Sequence, residues 1–166
     1  MQDHIDKTQP QPPADDRPNR IPWPPILYVL AFAAAYVLEH SIPLSNMPRH
    51  GAWQLIGWAV FALGIGIGLA AILAFKAIGT PVDPTGRATQ LVTTGIYAWT
   101  RNPMYLGAVI GFVGLSVALG SAWLLILGLL MPIALRKLAI DREEAYLTRH
   151  FGAAYEAYRL GVRRWL

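Results

Sequence analysis

Arg101 stands just ahead of Asn102 and Pro103, where a polar turn hands over to a long apolar run. An arginine held beside the positive, N–H-rich start of a helix makes a place for an anion such as a carboxylate or a phosphate. Asn102 suits an N-cap and Pro103 the first helical position, while Trp99 and Tyr105 suit anchors at a membrane–water interface. That leaves Tyr97 and Arg101 without a structural explanation. Further along, Glu144 shares a helical stripe with Ile140, Leu147 and Phe151. A carboxylate on such a stripe is partly buried and wants a partner, either Arg101 across the fold or a cationic ligand. The other reading of the same stretch is a solvated helix laced with charges of both signs, such as Lys137 and Asp141. Glu143 is turned about 100° from Glu144, so the two acids can line one cavity only from different sides.

These residues need elements to hold them, and composition says of what kind. The 166 residues are 54% hydrophobic and 14% charged, which points to one integral membrane domain of the all-α class. The absence of cysteine excludes disulfides, thiolate metal sites and a cysteine nucleophile. The net charge of +4 falls mostly beside apolar segments, so a membrane surface is the expected partner and nucleic acid is not. Residues 1–22, rich in proline and poor in large apolar side chains, read as a disordered N-terminal arm, and 23–166 as the membrane domain. The arm has no apolar core followed by a small-residue cleavage site, so the first apolar segment is expected to stay as an anchor.

Four transmembrane helices are expected. The first covers about 25–44, with Glu39 and His40 at its end assigned to the headgroup layer and given no role. The second, 53–75, has 23 residues, enough to cross with some tilt. The 33 residues of 103–135 make about 50 Å of helix, too long for one crossing, so they must turn back at Gly120-Ser121 as a tight hairpin. Gly64 and Gly68, and likewise Gly107 and Gly111, stand four apart, a spacing that lets helix backbones approach closely. Beyond the membrane come C-terminal helices, the second with Tyr155 and Tyr158 on one face, and a tail, 162–166, suited to lying on the membrane surface.

Basic residues orient this arrangement. Lys7, Arg17 and Arg20, then Lys76, Arg87 and Arg101, then Arg136, Lys137, Arg142, Arg149, Arg159, Arg163 and Arg164 share one side, leaving only Arg49 on the other. Both termini and the central loop are thus expected on the cytoplasmic face, which in a bacterium means the inner membrane. The central loop and the C-terminal segment become neighbours there, as a shared site requires. Nothing polar marks a transport path through spans two to four, and facing intramembrane histidine pairs that would carry haem are absent. The non-enzymatic alternative is a four-helix scaffold or small transporter whose basic face binds anionic lipid.

Several blocks, in order, carry a resemblance. They are Gly79-Thr80-Pro81-Val82 with Pro84, Leu91 to Tyr97, Arg101 to Gly107, Glu143-Glu144, and Phe151 to Tyr158. Over roughly 75–166 the chain resembles the isoprenylcysteine carboxyl methyltransferase and phospholipid methyltransferase group of integral membrane enzymes. The resemblance implies a methyltransferase using S-adenosylmethionine without a Rossmann domain, the cofactor lying between the last membrane helices and the C-terminal segment. It implies that Tyr97, Arg101, Asn102, Tyr105, Gly107, Glu143 and Glu144 fall in or beside the cofactor and reaction site, Arg101 and Glu144 as the catalytic pair. No metal is implied. Asn102 stands where the family often has histidine, and it can hydrogen-bond but cannot take a proton at neutral pH. The expected acceptor is a lipophilic carboxylate, since a carboxylate nucleophile needs no base; an amine, such as that of a phospholipid, is the alternative.

Overall fold

A computed structural model describes residues 19, 21–44, 48, 50–80, 82 and 88–166. Among them all regular structure is helical. In order these are α1 (Trp23–Ser41), α2 (Ala52–Ala77), a single 3₁₀ turn (Gly95–Ala98), α3 (Pro103–Leu119), α4 (Ala122–Leu135), a π-helical turn (Arg136–Ile140), α5 (Asp141–Phe151) and α6 (Ala153–Gly161). Of the N-terminal arm only Asn19, Ile21 and Pro22 are described, and Asn19 is buried. Lys7, Arg17, Arg20, Arg49, Arg87, Pro81 and Pro84 lie outside the described residues.

The pairing of α2 with α3 is the tightest helix contact, and glycine is its cause. A Cβ added at Gly64 would stand 2.5 Å from the Gly107 carbonyl oxygen and 2.5 Å from the Gly111 nitrogen. One added at Gly107 would stand 2.6 Å from the Gly64 carbonyl oxygen and 2.9 Å from the Gly68 nitrogen. The backbones therefore touch where two small-residue pairs face each other, as the four-residue spacing predicts. Gly57 and Gly114 extend the contact toward the other end, against Ala118 and Phe61, and the spacing argument does not pick them out.

Gly120 ends α3 with φ 61°, a left-handed conformation that glycine adopts without strain. Ser121 then caps α4, its hydroxyl oxygen accepting from the Leu124 N–H at 3.2 Å. The same hydroxyl donates to Glu39 at 2.8 Å, so the acid assigned no role ties the end of α1 to the hairpin. α4 runs through Pro132 and the π turn into α5 without a break. π turns recur at functional sites, and this one precedes the two acids.

Two helices, α2 and the continuous Ala122–Phe151 rod, are long and apolar enough to cross a membrane. Large apolar side chains such as Leu55, Leu63, Leu69 and Leu73 stay exposed along α2. α1 begins, α2 ends, α3 begins and α4 ends at one end of the bundle, since Tyr28, Phe75, Tyr105 and the α5 acids border a common cavity.

The tail is tied to the bundle. It does not lie free on the surface: Trp165 packs against the cluster of Tyr105, Met131, Leu135, Ala139 and Ile140, and the backbone of 163–164 bonds to the turn before α3. The turn there has polar groups in need of partners, and the tail satisfies them.

Candidate functional site

The site begins with the 3₁₀ turn. Gly95, at φ 62°, lets the chain bend into it, and Tyr97 is buried against Phe75 at the end of α2, ring centroids 5.4 Å apart. Tyr158 of α6 donates its hydroxyl to the Tyr97 carbonyl at 2.7 Å, linking the turn to the last helix. Next, the C-terminal strap takes hold of three consecutive residues. The Arg101 N–H donates to the Arg163 carbonyl at 3.0 Å, and the Arg164 carbonyl accepts from Thr100 Oγ1 at 3.1 Å and Asn102 Nδ2 at 3.0 Å. Asn102 occupies the N-cap position, but its side chain makes no capping bond; its amide faces the strap instead. Pro103 lacks an N–H and so removes one of the helix donors a cap would serve.

The adjacent acids have different surroundings. Glu143 is largely buried, and its Oε1 accepts from the Tyr105 hydroxyl at 2.6 Å and from Asn19 Nδ2 at 3.3 Å. Burial pushes its carboxyl up from the ordinary range, and the two hydrogen bonds oppose that shift only in part. Glu144 is met by two guanidiniums. Arg164 meets it with a fork, Nε to Oε1 at 3.1 Å and Nη2 to Oε2 at 2.6 Å, while Arg101 Nη2 lies 3.4 Å from Oε1. The Glu144 stripe is thus an inward face, and Arg101 is its partner across the fold. The solvated alternative does not describe it, because its side chain is only 12% exposed.

Arg101 itself is not fully engaged. Its Nε and Nη1 are buried and have no hydrogen-bond partner among the described residues. A guanidinium enclosed with donors unmade is costly unless something supplies acceptors.

These groups surround a cavity of about 310 Å³. Tyr97, Arg101, Asn102, Tyr105, Glu143 and Glu144 all line it. Gly107 does not; it sits one turn further along α3, in the contact with α2. The apolar part of the wall comes from Pro24, Pro25 and Tyr28 of α1, Phe75, Leu91, Val92 and Met104. Tyr146, Tyr155 and Tyr158 add aromatic faces. Burial, followed by the Glu144 carboxylate, pushes the Tyr155 phenol up to about 12, and burial also raises Tyr97 and Tyr158. All three are uncharged at neutral pH, walls rather than bases. A second, almost wholly apolar groove of about 460 Å³ between α1, α2 and α3 shares Tyr28 with the first.

Sequence reasoning passed over Arg164, Tyr146, Asn19 and Tyr28. Tyr146 was within reach, since Ala139, Glu143, Tyr146 and His150 form a second stripe beside that of Glu144; it is 1% exposed, and its hydroxyl oxygen accepts from the Ala88 N–H at 3.1 Å. Arg164 and Asn19 gave no such signal, because each reaches the site through a segment without periodicity.

Against known proteins, residues 53–154 match the family described as phospholipid methyltransferase. The chain is 43% identical over 75 residues to the protein-S-isoprenylcysteine O-methyltransferase of Schizosaccharomyces pombe, a stretch covering 43% of this chain and 30% of that protein. It is 29% identical over 84 residues to the lamin-B receptor of Drosophila melanogaster, covering 49% of this chain and 11% of that protein. The matches thus span less than a third of either relative. No solved structure matches.

Proposed function

This chain belongs to the phospholipid methyltransferase family, and from that membership we propose that it moves a methyl group from S-adenosylmethionine to a lipophilic acceptor at the membrane surface. The observation that carries the reading is Arg101, a buried guanidinium with two donors unpartnered among the described residues, set in the wall of an aromatic cavity beside two acids. The residues fit the cofactor's chemistry. Arg101 suits an amino-acid carboxylate, Glu143 suits an ammonium or ribose hydroxyls, and tyrosine faces suit a sulfonium through cation–π attraction. At about 310 Å³ the cavity lies at the small end of the usual range of ligand sites, about 300–1,000 Å³.

When bound, S-adenosylmethionine would supply an electrophilic methyl on a cationic sulfur. The protein's task is then to align acceptor and donor and to keep water out, and orientation alone can contribute about 7–11 kcal/mol. Tyr97, Tyr155 and Tyr158 wall the reactants without adding charge. Glu144, saturated by two arginines, acts by holding Arg101. The apolar groove that shares Tyr28 with the cavity wall gives a hydrocarbon tail a place near the polar chamber. We read four membrane crossings by α1 to α4, with both termini and the cavity on the cytoplasmic side, so that a polar cofactor arrives from water and the acceptor from the bilayer.

The acceptor favoured is a carboxylate, because it needs no deprotonation and the cavity wall has no histidine among the described residues. A second reading, N-methylation, draws on Glu143, whose carboxylate form, made more basic by burial, would take a proton from an ammonium at the wall. Detergent-purified protein should bind S-adenosylhomocysteine saturably and label a membrane lipid extract from methyl-labelled S-adenosylmethionine. Label released as methanol by mild base marks a carboxyl ester, and base-stable label marks an amine. Absence of both binding and labelling would leave the scaffold reading in place.

A further inference from the structure

The last five residues do more than end the chain. Their backbone accepts one hydrogen bond from each of three consecutive residues, Thr100, Arg101 and Asn102, and their one charged fork closes on Glu144. Arg164 also reaches Asp141 through Nη1 at 3.0 Å, so a single guanidinium spans one turn of α5. The result is a chain of three charges, Arg164–Glu144–Arg101, in which the middle carboxylate has the fork of Arg164 on one side and only Nη2 of Arg101 on the other. The rest of the Arg101 guanidinium, Nε and Nη1, is buried and has no hydrogen-bond partner among the described residues. They flank Nη2 on the planar group, Nε on its side-on edge and Nη1 on its end-on edge, so each leaves an N–H open to a carboxylate oxygen beside the one Glu144 meets.

We propose that Arg164 is a positioning residue: by fixing Glu144 it holds the open Nε and Nη1 donors of Arg101 ready for the carboxylate of the amino-acid end of the cofactor. The proposal rests on the methyltransferase reading and extends it to a residue beyond 154, where the family match ends. An unpaired Glu144 would be free to swing onto the open donors of Arg101 and occupy the place of the ligand. With the fork of Arg164 closed on both its oxygens, it cannot. The strap bonds at 100, 101 and 102 hold the backbone end of the same arginine, so the guanidinium is constrained from both ends.

The test uses two ligands that differ in the group Arg101 is said to receive. S-adenosylhomocysteine has the amino-acid carboxylate; 5′-methylthioadenosine keeps the nucleoside and the sulfur and lacks the amino-acid end. In full-length protein in detergent, Arg164→Gln should weaken S-adenosylhomocysteine about tenfold or more, the scale of one charge-assisted interaction, and 5′-methylthioadenosine less than about twofold. Arg164→Lys, which keeps the charge but not the fork, should fall between wild type and Gln. Arg159→Gln, which removes a surface pair with Glu156, should leave both affinities unchanged. Equal weakening of both ligands by Arg164→Gln would make the strap a general structural clasp and overturn the proposal, as would unchanged affinity for both. Should Gln fail to fold, the Lys variant decides by the same ratio. Wild-type protein that binds neither ligand would instead overturn the methyltransferase reading on which this rests.

Discussion

The Tyr105 hydroxyl and the Glu143 carboxylate meet at 2.6 Å, joining the first turn of α3 to the first turn of α5 across the cavity. The acid is thereby fixed inside the wall, with Asn19 as its second donor, and no arginine or lysine pairs with it among the described residues. Its neighbour Glu144 has the opposite condition, two guanidiniums and no hydroxyl. Adjacent residues on one helix thus supply one acid met by neutral donors, its carboxyl pushed up by burial, and one met by two guanidiniums.

That difference sets a pH dependence. Burial raises the folded-state pKa of Glu143 above its unfolded value, so its contribution to stability is complete below the ordinary carboxylate range and declines as pH rises through the folded pKa. Glu143→Gln keeps an acceptor for Tyr105 and removes the titration. The variant should therefore gain thermal stability over wild type as pH rises, the gap closing as pH falls toward the ordinary carboxylate range. Melting curves of both proteins in detergent across pH 4 to 8, about the span in which shifted carboxyls titrate, check this. A gap that stays constant with pH would remove Glu143 from the buried, shifted class.

Much of this was legible because helices repeat. The stripe of Ile140, Glu144, Leu147 and Phe151 placed an acid on an inward face and named Arg101 as its partner, and the structure joins the two. The glycine spacing located the α2–α3 contact, and Gly120-Ser121 located the hairpin. What escaped has no period to read. Asn19 comes from a proline-rich arm and Arg164 from a five-residue tail, and each is positioned by partners far along the chain. Asn102 stands at the N-cap position its type suggests, but its side chain makes no capping bond, and its Nδ2 donates to a carbonyl of the tail that no local pattern announces.

Gly107 offers a clean separation of packing from ligand binding. A Cβ there meets α2 backbone at 2.6 Å, while one at Gly66 meets nothing within 4 Å. Gly107→Ala should cost about 1–3 kcal/mol of stability, the usual scale for overpacking, and Gly66→Ala should cost no more than a few tenths. The fraction of Gly107→Ala that remains folded should bind S-adenosylhomocysteine with wild-type affinity. A stable Gly107→Ala protein with weakened binding would return this glycine to the cofactor site.

The proposed four-crossing topology would put Leu166 and the cavity on the cytoplasmic face and the α1–α2 connection on the other. A reporter fused after Leu166 should be active only in the cytoplasm, and one inserted at His50 only on the far side. The reverse result, or both reporters on one side, would break the shared face on which the central turn and the tail meet.

Asn102 tests which of two local forces governs the start of α3. Asparagine and aspartate cap helices about equally well, so if position alone mattered Asn102→Asp would be neutral, or slightly favourable beside Arg101 and the positive end of the helix. The structure instead spends the amide on the Arg164 carbonyl at 3.0 Å, a bond that aspartate cannot donate. Two acceptors would then face each other in a place where Asn102 is only 8% exposed. Asn102→Asp should therefore destabilise the protein by about 1–3 kcal/mol, the cost of leaving a buried group unpaired. Asn102→Ser should cost less, because its hydroxyl keeps a donor even if it does not span the distance. Because the lost bond anchors the strap that also holds Glu144, the Asp variant should weaken S-adenosylhomocysteine together with stability. Thermal melting and ligand titration of the two variants side by side read both effects. An Asp variant as stable as wild type would show that the cap position outweighs the bond to the tail, and that the strap is held by its backbone contacts and by Arg164 alone.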